Sequence, residues 1–383
     1  MRRRVPALLV ALAAFVMLGM ADGALGVAWP SIRMGLGRGL EDLGLVLAAL
    51  SAGYLTASTS FGRVHATLGT ARALAIGGFA FAVGLGLFAV AAAWYVVLVG
   101  AVVLGLGGGL VDSGVNAHAA LEFEAGSVNL IHGFYGLGAT AGPLVIAASL
   151  SASGSFRSGY VGMALVQVLV LGSIVARRRG WETSTDPEHP RAGSGGMTWV
   201  RALPLLVVFV VYTGVEVAVG QWAFTLLTES RNLAESAAAG WVAAYWGGLT
   251  AGRLLWGAIG ERVAPRSLLD GSVAIALLGG ILLWVDPLGV GVVGLPLAGA
   301  GLAAVFPTMV SLTPERTTRA ASTRIMGYQL AAANVGAATV PWLIGLTAAN
   351  VGVGALAPGL VVGLAALVVA HLWVDRRFGR RPA

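Results

Sequence analysis

Three carboxylates stand inside long apolar runs of this chain: Asp22, Asp112 and Glu216. An ionised carboxylate near the middle of a lipid-spanning helix costs roughly 3 kcal/mol on insertion scales. A chain that keeps such groups has a use for them. The chemistry they offer is gain and loss of a proton, because the neutral acid crosses an apolar enclosure more cheaply than the carboxylate does. Polar neighbours stand at helical spacing beside them. Asn116 follows Asp112 by one turn and Tyr212 precedes Glu216 by one turn. His132, whose imidazole titrates near neutral pH, opens the apolar run after Asp112. Asp22, Asp112, Glu216 and His132 are thus the candidate proton-coupling residues. The structural alternative is a neutral acid hydrogen-bonded in place, with Tyr212 satisfying Glu216. On the first apolar run Gly19, Asp22, Gly26 and Trp29 recur at spacings of 3, 4 and 3, which puts them on one helical face.

Composition fixes the surroundings. The chain is 57% hydrophobic and only 11% charged, whereas soluble domains carry about 25% charged residues. That excludes a water-soluble globule. Its 57 Gly suit helices that approach one another closely in lipid. With no Cys, disulfides and thiolate metal sites are excluded. The net charge of +7 comes from Arg in short loops between apolar runs, a topology signal rather than a nucleic-acid surface. Residues 1–26 imitate a signal peptide, but the run continues to about Pro30, longer than such a segment needs. A lipid-spanning helix takes about 20 apolar residues. Twelve runs qualify: 6–30, 42–62, 71–92, 95–119, 129–151, 159–176, 202–227, 238–259, 267–285, 289–312, 324–347 and 351–374. The expected architecture is an all-α membrane protein of twelve transmembrane helices.

With the N-terminus inside, Arg2 to Arg4, Arg63, Arg72, Arg177 to Arg179, Arg191, Arg201, Arg262, Arg266, Arg316, Arg319, Arg324 and the C-terminal arginines are cytoplasmic. Arg33, Arg38, Arg157 and Arg231 are outside, and Arg253 stands within a run. The positive-inside rule therefore puts both termini in the cytoplasm. On this topology Asp22 lies ~7 Å to the outer side of its helix midpoint and Asp112 ~9 Å to the inner side, at ~1.5 Å per residue. Two acids on opposite sides of the midplane suit alternating access. Residues 177–200 lack any period and read as a flexible linker between a bundle at 1–176 and another at 201–383. The halves repeat at a shift of about 194. Asp22 aligns with Glu216, Ile131 to Phe134 with Ile325 to Tyr328, and Gly62 with Gly257 one residue further on. Two pseudo-symmetric six-helix bundles are a transporter architecture.

These features resemble the major facilitator superfamily. Its loop motif after the second helix and again after the eighth, G-x-x-x-D-R-x-G-R-R, is matched at Gly257-Ala-Ile-Gly-Glu261-Arg262-Val-Ala-Pro-Arg266. The first copy keeps Gly62, Gly69 and Arg72 but has Ala66 and Thr67 where the acid and base stand. These positions are the expected conformational-gating loops. Within the superfamily the chain is similar to the fucose permease-like sugar–proton symporters. The carrying residues are Asp22, Asp112 with Asn116, Asn129-Leu-Ile-His132-Gly-Phe-Tyr-Gly-Leu-Gly-Ala139, and Tyr212 to Glu216 with Gln221 and Trp222. The resemblance implies proton-coupled uptake of a sugar-like small solute across the cytoplasmic membrane. Gly138-Ala-Thr-Ala-Gly142-Pro143 matches part of an antiporter signature and keeps proton-coupled efflux open.

Sugars are held by amides and carboxylates at their hydroxyls and by aromatic faces at their C–H surfaces. The substrate-binding candidates are Trp29, Asn116, Tyr212, Gln221, Trp222, Tyr245, Gln329 and Asn334, with Trp241 and Trp246 beside them. For a single Trp, anchoring at the lipid interface is the competing reading, and Trp94 and Trp373 at run ends are read that way. Arg253 is expected to snorkel or to pair with Glu261, and His118 to lie at an interface. No H-E-x-x-H, G-x-S-x-G or phosphate loop stands in its required context, and a polytopic membrane enzyme is the remote alternative. No cofactor and no metal is expected. The expected partners are a small-molecule substrate, protons and the lipid bilayer, without nucleic acid, for a monomer.

Overall fold

The computed structural model describes residues 4–181, 199–259, 262–286, 289–317 and 319–378. The described chain is helical throughout. The helices are α1 (Arg4–Gly35), α2 (Leu43–Leu68), α3 (Thr70–Val90), α4 (Trp94–Glu122), α5 (Ala125–Ser153), α6 (Arg157–Ala176), α7 (Trp199–Thr225), α8 (Glu235–Ile259), α9 (Pro265–Val285), α10 (Gly294–Leu302), α11 (Val305–Ser311), α12 (Thr313–Arg316), α13 (Arg319–Val351) and α14 (Leu356–Phe378). Among the described residues, 11 spans are long and apolar enough to cross a membrane. The twelfth helix is α8, whose Arg253 and small residues dilute its hydropathy. Helices α10 and α11 form one span with a break at Ala303–Ala304. Pro307 explains the break, because it has no N–H to give the carbonyl four residues earlier, that of Ala303.

Local chemistry sets the helix ends. Gly69 takes φ 77° between α2 and α3 and donates its N–H to the His65 carbonyl at 2.8 Å. Asp286 ends α9 at φ 48°, and its carboxylate accepts the Gly291 N–H at 2.7 Å. Arg231 pairs with the same carboxylate at 3.7 Å.

The chain forms two compact units. The first holds residues 1–187 with 234–243, and the second holds 188–233 with 244–383. In the first, α1 packs on α5, α4 on both α2 and α3, and α3 on α6. In the second, α7 packs on α13 and α14, and α9 on α10 and α14. First helix against fifth thus recurs in each unit. Small residues make these contacts. A Cβ at Gly138 of α5 would lie 2.0 Å from the Val16 carbonyl oxygen of α1, and one at Gly336 of α13 would lie 1.9 Å from the Val210 oxygen of α7. Val16 and Val210 are themselves 194 residues apart. The glycine run at 105–109 brings α4 against α2 in the same way, with Gly109 against the Tyr54 carbonyl oxygen.

The expected linker is shorter than its composition implies. Residues 178–180 form a single turn and Trp181 is fully buried. Its indole packs on His118, ring centroids 4.9 Å apart. A large apolar ring leaves water wherever a socket is at hand, so packed structure runs on to Trp181. At the other end Trp199 already belongs to α7. The rest of the expected linker, 182–198, and Glu261 lie outside the described residues.

Candidate functional site

The polar groups of the first unit gather around Asp22 and Asp112. Asp22, on α1, accepts a hydrogen bond from the Tyr135 hydroxyl of α5 at 2.6 Å. Asp112, on α4, accepts one from the Tyr54 hydroxyl of α2 at 2.6 Å and another from the Asn116 amide at 3.0 Å. The glycine contacts position these donors. Gly109 draws α2 against α4 one turn before Asp112, and Gly138 and Gly19 draw α5 against α1 beside Tyr135 and Asp22. The carboxyls lie within electrostatic reach of each other, and Asp112 is also within reach of His132. Tyr54 interacts with both acids. Asp22, Asp112, Asn116, Tyr54 and Tyr135 are half-buried and His132 is exposed, its ring edge-on to Phe15 at 5.3 Å. The donors described on the two acids, Tyr135, Tyr54 and Asn116, are neutral. A phenol both donates to a carboxylate and accepts from a carboxylic acid, so these partners tolerate either protonation state.

The second unit treats its acid differently. Glu216, on α7, accepts a hydrogen bond from the Tyr212 hydroxyl of its own helix. Arg253, on α8, pairs with its other oxygen at 3.4 Å. The Tyr245 hydroxyl donates to the Glu216 backbone carbonyl at 2.7 Å. Arg253 thus pairs with an acid 37 residues earlier on the neighbouring helix, a partner the sequence did not suggest, while the expected partner Glu261 lies outside the described residues. The cause is Coulombic. Two opposite charges in an apolar helix pair stabilise each other far more than either does alone.

The remaining expected binding residues divide by burial. Trp29 and Trp222 are 0% exposed, so neither anchors at lipid. Trp29 packs against Trp94 at 6.4 Å, and the Trp222 indole N–H donates to the Pro341 carbonyl at 2.9 Å. Tyr245, Gln221 and Gln329 are buried, and Gln329 donates to Thr313 at 3.0 Å. Asn334 is half-buried and bonds back to the Leu330 carbonyl. Gly62 is half-buried in α2, Gly257 lies in α8, and Arg72 and Arg262 are exposed. His118 is 2% exposed rather than interfacial, held against Phe123 and Trp181. A cavity of about 230 Å³ lies elsewhere in the first unit, lined in part by Ser31, Phe88, Phe156 and Arg157. Sequence reasoning did not single out Tyr54 and Tyr135. Their signal was a phenol in a run of small residues, at glycine-lined contacts that periodicity alone does not reveal.

A family model described as the Major Facilitator Superfamily matches residues 11–240 of this chain. The chain belongs to the Major Facilitator Superfamily. The glucose/mannose transporter GlcP of Bacillus subtilis (strain 168) is 24% identical over 266 residues. The match spans 66% of this chain and 65% of the length of that relative. The solved structure of the nucleoside transporter NupG has a TM-score of 0.77 at 13% identity, covering 98% of this chain and 100% of NupG. The superfamily transporter FucP, in an outward conformation, has a TM-score of 0.64 at 16% identity, covering 96% of this chain and 98% of FucP. A bacterial homologue of the lysosomal transporter Spinster reaches 0.74 at 15% identity and covers 100% of both chains. These likenesses show the superfamily fold.

Proposed function

We propose that this superfamily member is a secondary active transporter that couples uptake of a sugar-like neutral solute to protons by alternating access. It works as a monomer in the cytoplasmic membrane, with both termini in the cytoplasm. The observation that carries the reading is the pair of acids in the first unit, each held at 2.6 Å by a phenol. A carboxyl served by neutral donors takes up and releases a proton without stranding a charge. Asp22 and Asp112 carry the coupling proton, and exposed His132 exchanges it with water. Asn116 ties the solute's hydroxyls to the protonation state of Asp112, and Glu216 with Arg253 offers the second unit's acceptor and donor. The sugar class is supported by the resemblance to GlcP, a glucose/mannose transporter.

The test is transport of labelled D-glucose in proteoliposomes. Asp112→Asn should abolish accumulation driven by an imposed pH gradient while sparing counterflow exchange. Driven uptake at the wild-type level would remove Asp112 from the mechanism. The rival reading, proton-coupled efflux of amphipathic compounds, rests on the partial antiporter signature at Gly138 to Pro143. Gly138 and Gly142 are already accounted for by the α1–α5 contact. Inverted vesicles that load a dye under a proton gradient would favour efflux.

A further inference from the structure

The end of α6 carries its positive charge on a fixed turn. We propose that this turn is a docking site for an anionic phospholipid, whose phosphodiester is gripped by Arg177, Arg178 and Arg179 with Arg72 beside them.

Three arginines follow directly on an apolar helix of 20 residues. A charge run at that place stands at the lipid–water boundary, at headgroup depth. Such runs are often loose tails, whereas this one is folded. Residues 178–180 form a single turn, and the Gly180 N–H donates to the Arg177 carbonyl at 2.8 Å. Trp181 then turns inward and is 0% exposed. Its ring meets His118 of α4 at 4.9 Å, and a Cβ on Gly180 would lie 4.0 Å from the Cβ of Ala7 on α1. The indole nitrogen is buried without a hydrogen-bond partner, so the ring serves as an apolar anchor. The turn also touches α3, whose first turn holds Arg72. Helices α1, α3 and α4 thus fix the backbone that bears the arginines.

Arg72, Arg177, Arg178 and Arg179 are exposed, and among the described residues none of their side chains has an ion pair or a hydrogen bond. Glu122 of α4 is within electrostatic reach of His118 but pairs with none of the four. Neither α3 nor α6 contains an acid. The second unit treats its bases differently. There the third and sixth helices of the half, α9 and α14, also pack together. Arg266, in the first turn of α9, pairs with Asp375 of α14 at 2.5 Å, and His371 of α14 pairs with Asp270 of α9 at 2.7 Å. One unit supplies its own carboxylates at this end, and the other presents bare guanidinium groups. Their planar forks match phosphate oxygens two at a time. A turn that is already ordered spares most of the entropy that binding would cost. Exposed apolar side chains continue along the same helices, Leu169 and Val175 on α6 and Ile76 and Phe79 on α3, where acyl chains would lie. The tract after Trp181 brings Glu182, Asp186 and Glu188, so neutralisation within the chain is the rival to be separated.

The experiment is native mass spectrometry of the full-length protein in a neutral detergent. It is titrated with dioleoylphosphatidylglycerol and, in parallel, with dioleoylphosphatidylcholine. The wild type should bind the anionic lipid more tightly. Each arginine removed should cost about fivefold in affinity, the equivalent of ~1 kcal/mol for one basic residue near an anionic surface. R178Q/R179Q should therefore weaken phosphatidylglycerol binding by about 30-fold and leave phosphatidylcholine binding unchanged. R376Q/R377Q, which takes the same charge from the end of α14, should leave the tightest site as it is. Trp181→Ala keeps every arginine but frees the turn, and should weaken binding several-fold. Should that variant fail to fold, the two double variants still decide the matter. Equal losses in the two double variants would reveal attraction to net charge rather than a site, and overturn the proposal. A wild type that does not prefer phosphatidylglycerol, as expected if Glu182, Asp186 and Glu188 neutralise the turn, would overturn it too. So would inorganic phosphate binding as tightly as the lipid, which would make the turn a site for a free anion.

Discussion

Replacing Gly138 by alanine tests whether helix spacing sets the proposed proton site. A Cβ at Gly138 would lie 2.0 Å from the Val16 carbonyl oxygen, where ordinary contact begins at 3.4 Å. The difference, about 1.4 Å, must be found by parting α1 from α5, because the obstacle is backbone. Tyr135 lies one turn before Gly138 on α5, and Asp22 one turn past Gly19 on α1. The parting therefore falls on the Tyr135–Asp22 hydrogen bond, now 2.6 Å. Stretched to roughly 4 Å, it ceases to be one. A hydrogen bond to a charged group contributes about 1.5–3 kcal/mol, and one pH unit corresponds to about 1.4 kcal/mol. Losing a donor destabilises the carboxylate relative to the acid. On the proposal that Asp22 carries the coupling proton, the midpoint of the pH dependence of driven uptake should thus move alkaline by about 1–2 units. Overpacking should also lower stability by about 1–3 kcal/mol. Uptake in proteoliposomes across a pH series reads the first effect and thermal denaturation in detergent reads the second. Tyr135→Phe should reproduce the pH shift without the overpacking, and Gly86→Ala, where a Cβ meets open space, should do neither. A Gly138→Ala protein that melts earlier yet keeps the wild-type midpoint refutes the reasoning.

Trp181→Ala should cost about 3–5 kcal/mol in thermal denaturation. Trp181→Phe should cost far less, since the buried indole nitrogen has no hydrogen-bond partner to lose. Asp286→Asn should cost under about 1 kcal/mol, keeping the left-handed turn and its acceptor and giving up only a partly exposed ion pair. Asp286→Val should cost about 1–3 kcal/mol for a β-branched residue at φ 48°. It should lose a further ~1 kcal/mol with the Gly291 hydrogen bond, and melting temperatures separate the two variants. Trp222→Phe should lower stability by about 0.5–1.5 kcal/mol through the lost bond to Pro341. It should leave the KM for the proposed sugar unchanged, because the ring is fully buried.

The carboxyls were legible because their energetic penalty in an apolar run is itself a signal. The helices were legible for the same reason, with ends displaced by a few residues: 95–119 became Trp94–Glu122 and 324–347 became Arg319–Val351. The partners were not legible. Tyr135 lies 113 residues from Asp22 and Tyr54 lies 58 residues from Asp112. Such pairings depend on which helices touch, and that is decided by glycine contacts that leave no periodic trace. The Arg253–Glu216 pairing was hidden in the same way, since its members stand 37 residues apart on different helices. Trp181 was hidden by the polar tract that follows it.

The duplicated scaffold explains how the two halves acquired different chemistry. Backbone contacts are repeated: the carbonyls of Val16 and Val210, 194 residues apart, each abut a glycine of the fifth helix of their half. Side chains lining those contacts are free to change, since no backbone atom depends on them. Gln329 occupies the position equivalent to Tyr135, yet it is 1% exposed and bonded to Thr313, so it fastens α13 to α12 and leaves Glu216 to others. The acid of the second half then takes its partner from Arg253 on α8, a position where the first half has Ser58. The second half thus adds a guanidinium to a phenol, Tyr212, that its acid already has.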